Sequence, residues 1–279
     1  MVDCHMHMVL DGVWWKDAIA RHSTKVQKDF CHRMLETYQA RGFTYLRDGG
    51  DRWGVGQYAR SVAERYGIVY RTPLAPLSQK GHYGGFIGKQ FADLREYARL
   101  VAENRQQGAD FIKIMISGLM DFDQYGVLSE PGQDENTIRE MIHIAHAEGM
   151  RVMAHANGAR VIEAAAAAGA DSVEHGAYPD RDALQAMVDN ATVWVPTLST
   201  VGNLLGRARF CQEAVRKILD GALMAVSEFA SMGGLLAPGT DAGAWAVPHG
   251  SRTEFSWLEK AGITRERLNP GIAQIQQKF

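Results

Sequence analysis

Eight short apolar, β-branched runs alternate along this chain with longer amphipathic stretches, a rhythm that fits repeated βα units around a parallel sheet. The runs are Val2 to Met6, Phe43 to Leu46, Ile68 to Thr72, Phe111 to Met115, Arg151 to Ala154, Ser172 to Glu174, Val193 to Val195 and Leu235 to Ala237. Between them lie helical patterns at Gln57 to Tyr66, Leu94 to Gln107, Glu135 to Glu148, Val161 to Ala168, Asp182 to Val188 and Cys211 to Met232. Glycines such as Gly108 and Gly149 fall at helix ends just ahead of the next strand, where a C-terminal cap favours them. The expected fold is α/β, a (β/α)8 TIM barrel. With 279 residues and no Pro/Ser-rich linker or shift of composition, the chain reads as one domain over residues 1–279.

Composition removes several function classes. Lys and Arg total 30 against 32 Asp and Glu, and no basic block is present to track a phosphate backbone, so no nucleic-acid partner is expected. No stretch reaches the about 18 consecutive apolar residues of a membrane span, and Asp3, His5 and His7 stand where a signal peptide would be apolar. Cys4, Cys31 and Cys211 are an odd number without CxxC spacing, which fits a reducing cytoplasm better than a disulfide framework. The expectation is a cytoplasmic protein, without a membrane or nucleic-acid partner, that acts on a small molecule; a homo-oligomer is compatible with this.

In such a barrel the loops after the strand C-termini build the active site. Polar residues gather there: His5 and His7 at strand 1, Asp48 at strand 2, Lys113 at strand 4, His155 at strand 5, His175 at strand 6 and Asp241 after strand 8. Two residues apart on a strand, His5 and His7 leave the same face. Alone, an HxH pair reads as buried, hydrogen-bonded histidines, and so does each single histidine. Together, four imidazoles and a carboxylate whose burial calls for a cation form the usual N/O donor set for zinc-like ions.

These residues carry a resemblance. Asp3-Cys4-His5-Met6-His7, Lys113, His155, His175 and Gly239-Thr240-Asp241, in that order, resemble the amidohydrolase superfamily. Gly42-Phe43-Thr44 with Arg47-Asp48-Gly49-Gly50, Asp110 to Met115, Glu174-His175-Gly176, Val195-Pro196-Thr197-Leu198 and Pro248-His249-Gly250 resemble its Xaa-Pro dipeptidase-like (prolidase-like) branch.

The resemblance implies that His5, His7 and Asp241 bind one divalent ion and His155 and His175 a second, with zinc expected for both, and that Lys113 bridges them as a carbamate formed with carbon dioxide. An ammonium beside two dications would be repelled, which favours the carbamate over a salt-bridging lysine in a mononuclear site. The resemblance implies that Asp241 shuttles a proton and Tyr178 polarises a substrate carbonyl; His249, on the loop after strand 8, is a third catalytic candidate that would contact substrate or a metal-bound oxygen. His82 is a weaker candidate, and His22, His32, His143 and His146 are read as packing or solvated residues. Arg207, Arg209 and Arg252 could pair with a substrate carboxylate but read more simply as surface charges.

Two departures from the family are expected: the chain begins at strand 1 without the accessory β-sandwich of larger members, and Ile263 to Phe279 lacks the usual helix. The expected activity is metal-dependent hydrolysis of an amide-like bond in a dipeptide or N-acyl amino acid. Alternatives on the same metal site are a lactonase, cyclic imide hydrolase or esterase. A catalytically silent binding barrel is disfavoured by the intact ligand set.

Overall fold

The computed structural model describes all of residues 1–279. Ten strands and eleven helices follow in the order β1 (Val2–Met6), α1 (Trp15–Thr24), α2 (Lys28–Ala40), β2 (Tyr45–Asp48), α3 (Val55–Ala63), β3 (Val69–Arg71), β4 (Leu77–Gln79), β5 (Lys89–Phe91), α4 (Leu94–Gln106), β6 (Ile112–Met115), α5 (Glu135–Ala147), β7 (Val152–Ala156), α6 (Ala159–Ala167), β8 (Ser172–His175), α7 (Arg181–Asp189), β9 (Val193–Val195), α8 (Ser199–Gly202), α9 (Gln212–Ser231), β10 (Leu235–Leu236), α10 (Thr253–Lys260) and α11 (Arg265–Lys278). All eight expected strands are present within a few residues.

The strands are parallel throughout, in the orders β1-β2-β3 and β10-β9-β8-β7-β6-β4-β5. Two seams join these sheets into the barrel. At one, Cys4 donates to the Pro238 carbonyl at 2.8 Å, Asp241 to His5 at 2.7 Å and His7 to Ala242 at 2.7 Å, which ties β1 to the segment after β10. At the other, the third barrel strand is split. Its first half, β3, pairs with β2, and its second half, β4, pairs with β6. The intervening Pro73-Leu74-Ala75-Pro76 cannot donate a full ladder, and this is why the sequence pattern stopped at Thr72 and passed over Leu77–Gln79. Residue Lys113 and residue His155 lie two positions beyond Phe111 and Met153 on their strands, hence on the same face. Phe111 and Met153 join Tyr45, Val195, Ala237 and Phe279 in one buried cluster, an apolar layer beneath the polar one.

The tail corrects the sequence reading. Residues Arg265–Lys278 form helix α11, with Thr264 capping the Arg267 N–H. Asn269-Pro270-Gly271 reads as a helix breaker, yet Pro270 is accommodated within α11 and Gly271 lets the helix lie directly on β10, where any Cβ would come within 2.1 Å of the Leu236 carbonyl oxygen. Burial of Leu268 and Ile275 outweighs the local propensity. No helix is long and apolar enough to cross a membrane.

Candidate metal and active site

The barrel brings four imidazoles together at one end. His5 and His7 approach through their Nε2 atoms at 3.3 Å, and Asp241 Oδ1 lies 3.6 Å from His5 Nε2 and 3.4 Å from His7 Nε2. The His175 ring is 4.9 Å from His5 and 4.6 Å from His155, centroid to centroid. His5, His175 and Asp241 each offer a ligand atom within 4.8 Å of the others'. The six expected ligands therefore form one cluster, with Lys113 wholly buried among them and its Nζ without a hydrogen-bond partner.

Each ring is oriented by a neighbour. His5 Nδ1–H donates to Glu174 Oε2 at 2.7 Å, leaving Nε2 unprotonated and facing the cluster. His155 Nε2–H donates to the Gly118 carbonyl at 3.2 Å, which leaves Nδ1 as its lone-pair nitrogen. His175 Nδ1 is hydrogen-bonded to Thr197 Oγ1 at 2.8 Å, and the His7 ring lies flat enough on Gly49 that a Cβ there would meet it at 2.1 Å. Hydrogen-bond partners thus select which nitrogen His5, His155 and His175 present, whereas His7 Nδ1 has no partner.

The electrostatics agree with metal binding. Burial, reinforced by Lys113, holds His7 and His155 down at about 3, and burial holds His5 and His175 well below the usual imidazole range. All four rings are neutral and keep a lone pair. Burial pushes Asp241 up to about 8 against the pull of Lys113, as expected of a carboxylate that needs more positive charge nearby. Burial also lowers Lys113 to about 8. A neutral donor set, a carboxylate short of cations and an orphaned amine fit divalent metal.

Backbone strain collects at the same place. His175, Tyr178, Thr197 and Asp241 all have positive φ, between 49° and 65°, which non-glycine residues seldom adopt. Asp3 holds the Asp241 turn, accepting from the Thr240 N–H at 2.9 Å and hydroxyl at 2.6 Å.

Sequence reasoning did not assign roles to Glu174 and Arg47. Arg47 Nη2 donates to Glu174 Oε1 at 2.8 Å, Nη1 to Ser172 at 2.9 Å and Nε to the Cys4 carbonyl at 2.7 Å, and the guanidinium stacks on Phe279 at 4.5 Å. Both residues stood in quoted motifs, but nothing local marked their meeting. The remaining expectations resolve differently. His249 Nε2–H donates to the Leu10 carbonyl at 2.8 Å and Nδ1 accepts from Tyr38 at 3.2 Å, so neither nitrogen is left for a substrate; the expected catalytic contact is replaced by a fastening of the loop after β1. Tyr178 packs edge-on against Tyr125 at 5.4 Å and lines the same cavity as His175, with its buried hydroxyl unpartnered. His82 lies 3.6 Å from Glu130 and is 35% exposed. His32 bridges Tyr58 and Tyr66, and His146 pairs with Asp171, as packing roles require.

A (β/α)8 barrel with a histidine-carboxylate cluster at the strand C-termini is the architecture of a metallohydrolase. Residues 1–262 match the amidohydrolase family, and the chain belongs to that family of metal-binding enzymes that hydrolyse amide-type bonds. It is 27% identical over 274 residues to an uncharacterised protein of Mycobacterium tuberculosis, covering 95% of this chain and 69% of that one. Ochratoxinase of Aspergillus niger is 25% identical over 298 residues, with 94% of this chain and 61% of that enzyme covered, so this chain spans under two thirds of ochratoxinase. Among solved structures, a Xaa-Pro dipeptidase with methionine in its active site superposes with a TM-score of 0.74 at 22% identity, over 100% of this chain and 72% of that one.

Proposed function

We propose that residues 1–279 act as one barrel domain that binds two divalent ions, zinc by donor type, and hydrolyses the amide bond of a dipeptide or an N-acyl amino acid. The observation that carries this reading is the wholly buried Lys113 Nζ, without a partner, amid four neutral imidazoles and Asp241. His5, His7 and Asp241 would hold one ion, His155 and His175 the other. Bound ions of this kind polarise a carbonyl and lower the pKa of water from ~15.7 to near 7.

The chain's own residues supply the rest. The neutral Lys113 amine attacks carbon dioxide, its nitrogen lone pair forming the C–N bond while an N–H proton leaves to solvent, and the resulting carbamate offers two oxygens where the amine offered one lone pair. Asp241, basic because it is buried, takes a proton from the attacking water and returns it to the departing amine. Glu174 and Asp3 keep His5 and Asp241 aimed at the same volume. The relatives named above, a dipeptidase and ochratoxinase, support an amide substrate with an amino-acid part.

Metal analysis of the purified protein, combined with a screen of dipeptides, N-acyl amino acids, lactones, cyclic imides and esters, tests this reading. Two ions per chain and cleavage confined to the first two classes are expected. Turnover of lactones, imides or esters alone would replace the substrate class, and an active protein with one ion would overturn the binuclear site.

A further inference from the structure

A cavity of about 90 Å³ adjoins the histidine cluster and shares His175 with it as wall. Its lining comes from two layers of the barrel. His175, Tyr178 and Trp194 belong to β8, β9 and the loop between them, and Gly221, Ala222 and Ala225 belong to the outer helix α9. Tyr125, itself 45% exposed, closes the solvent side. Its ring is edge-on to Tyr178 at 5.4 Å and lies under the Lys217 Nζ at 4.5 Å.

The chemistry of the lining restricts what can enter. No Asp, Glu, Lys or Arg contributes to it. Most of its polar atoms are already engaged: the Thr197 hydroxyl with His175 Nδ1 at 2.8 Å, Thr200 Oγ1 with the Thr197 carbonyl at 2.8 Å, and Trp194 Nε1–H with the His175 carbonyl at 2.9 Å. The Tyr178 hydroxyl is buried and has no partner, an exception that points to an occupant of the space. A charged group placed here would stand unpaired, which is costly, whereas an aliphatic chain would exchange water for apolar surface. The volume is below the about 150 Å³ of an apolar cavity known to admit a benzene ring, so a leucine or methionine side chain fits it better than an aromatic one.

Gly221 shows that this space is kept open at a cost. It stands in the middle of α9 (Gln212–Ser231), where glycine is less stable than alanine. Crowding does not demand it: a Cβ there would meet Tyr125 Oη at 3.6 Å and Cε2 at 3.8 Å, which are ordinary contacts. Positive φ does not demand it either, because Gly221 lies within regular helix. Gly271 of α11 provides the contrast, since its Cβ would strike the Leu236 carbonyl oxygen at 2.1 Å. What the missing side chain of Gly221 leaves is room beside His175. We propose that this cavity is the specificity pocket of the site, that it receives an aliphatic side chain of the substrate's amino-acid part, and that Gly221 sets its depth.

This inference rests on the hydrolase reading, and its test separates the two. Dipeptides varied at either residue through glycine, alanine, leucine, methionine, phenylalanine, aspartate and lysine are assayed with the metal-loaded parent, Gly221→Ala and Gly221→Leu. At one of the two positions the parent should prefer leucine or methionine over alanine by at least about thirtyfold in kcat/KM, with aspartate and lysine below alanine. Gly221→Ala should melt at a higher temperature than the parent, as helix propensity requires, and yet lower the leucine-to-alanine ratio about threefold. Gly221→Leu should lower that ratio at least about tenfold. No such preference in the parent, a preference for phenylalanine over leucine, or a parental ratio in both variants would overturn the assignment. Calorimetric titration of the zinc-loaded protein with leucine hydroxamate and glycine hydroxamate reads the same pocket without turnover, since both probes carry the same metal-binding group. The parent should bind the leucine compound at least about tenfold more tightly, and Gly221→Leu should lose that difference. If the parent cleaves no dipeptide, the hydrolase reading fails while this titration still decides the cavity; equal affinity for the two probes, or no binding of either, overturns it.

Discussion

Glu174 accepts the Nδ1–H of His5 at 2.7 Å on one carboxylate oxygen and an Arg47 N–H at 2.8 Å on the other, and all three side chains are wholly buried. The carboxylate thereby fixes the His5 tautomer, and Arg47 neutralises it at a depth where an unpaired charge is costly. Glu174→Gln should weaken metal affinity by about 10- to 100-fold, because an amide can present its NH2 to His5 and select the wrong tautomer. Chelator competition measures this, and unchanged affinity would show that His5 is oriented without Glu174.

Gly49 sits against the His7 imidazole so closely that a Cβ would lie 2.1 Å from Cε1 and 2.7 Å from both ring nitrogens. Gly49→Ala should therefore displace His7 and lower metal affinity and activity together by tenfold or more, on the order of the ~1.4 kcal/mol that a tenfold change represents. Gly42, at φ 78° with nothing within 4 Å of its Cβ, provides the contrast. Gly42→Ala should cost about 1 kcal/mol of stability by backbone strain alone and leave metal binding intact. Calorimetric melting and metal titration of both variants check the pair; a Gly49→Ala protein that binds metal like the parent would refute the steric argument.

Lys113→Ala removes the residue that the proposed binuclear reading has join the two ions. The variant should lose paired metal binding and most activity, and a short carboxylate such as formate or acetate in the buffer should restore part of both by supplying two bridging oxygens. Metal analysis with and without added carboxylate provides the measurement. A variant that retains two tightly bound ions and parental turnover would remove Lys113 from the site.

Reconstitution of the metal-free protein should depend on carbon dioxide and on pH with a definite sign. Burial brings Lys113 from 10.5 down to about 8, so the amine is mostly protonated at pH 7 and mostly neutral at pH 9. Only the neutral amine has a lone pair to give carbon dioxide. At fixed dissolved carbon dioxide, recovery of activity should therefore be faster at pH 9 than at pH 7 by up to about tenfold, the ratio of neutral amine expected for a group titrating near 8. The four histidines are neutral at both pH values and add no opposing dependence, while Asp241, at about 8, ionises over the same range and adds to the rise, so it is the carbon-dioxide dependence at each pH that reports the carbamate. Recovery that ignores carbon dioxide, or that slows as pH rises, would contradict the carbamate.

By itself the sequence determined the eight βα units, since periodicity two in strands and the apolar stripe of helices are local patterns, and it placed His5, His7, Lys113, His155, His175 and Asp241 at strand ends where a barrel must gather them. Tertiary structure decided the rest. The halves of the third barrel strand pair with different neighbours across Pro73 and Pro76, and α11 forms through Pro270 because β10 offers it a surface, outcomes that no local propensity encodes. The ring nitrogen that each histidine presents depends on partners far along the chain: Glu174 for His5, Gly118 for His155, Thr197 for His175. The loops divide the work in the same way. His249 is engaged by Leu10 and Tyr38, Tyr178 by Tyr125, and Tyr83 reaches His155, although all three look alike in sequence as polar aromatic residues beside glycine, alanine or proline. Local pattern specifies which element forms, whereas the direction of a loop side chain is set by contacts that exist only after the barrel has closed.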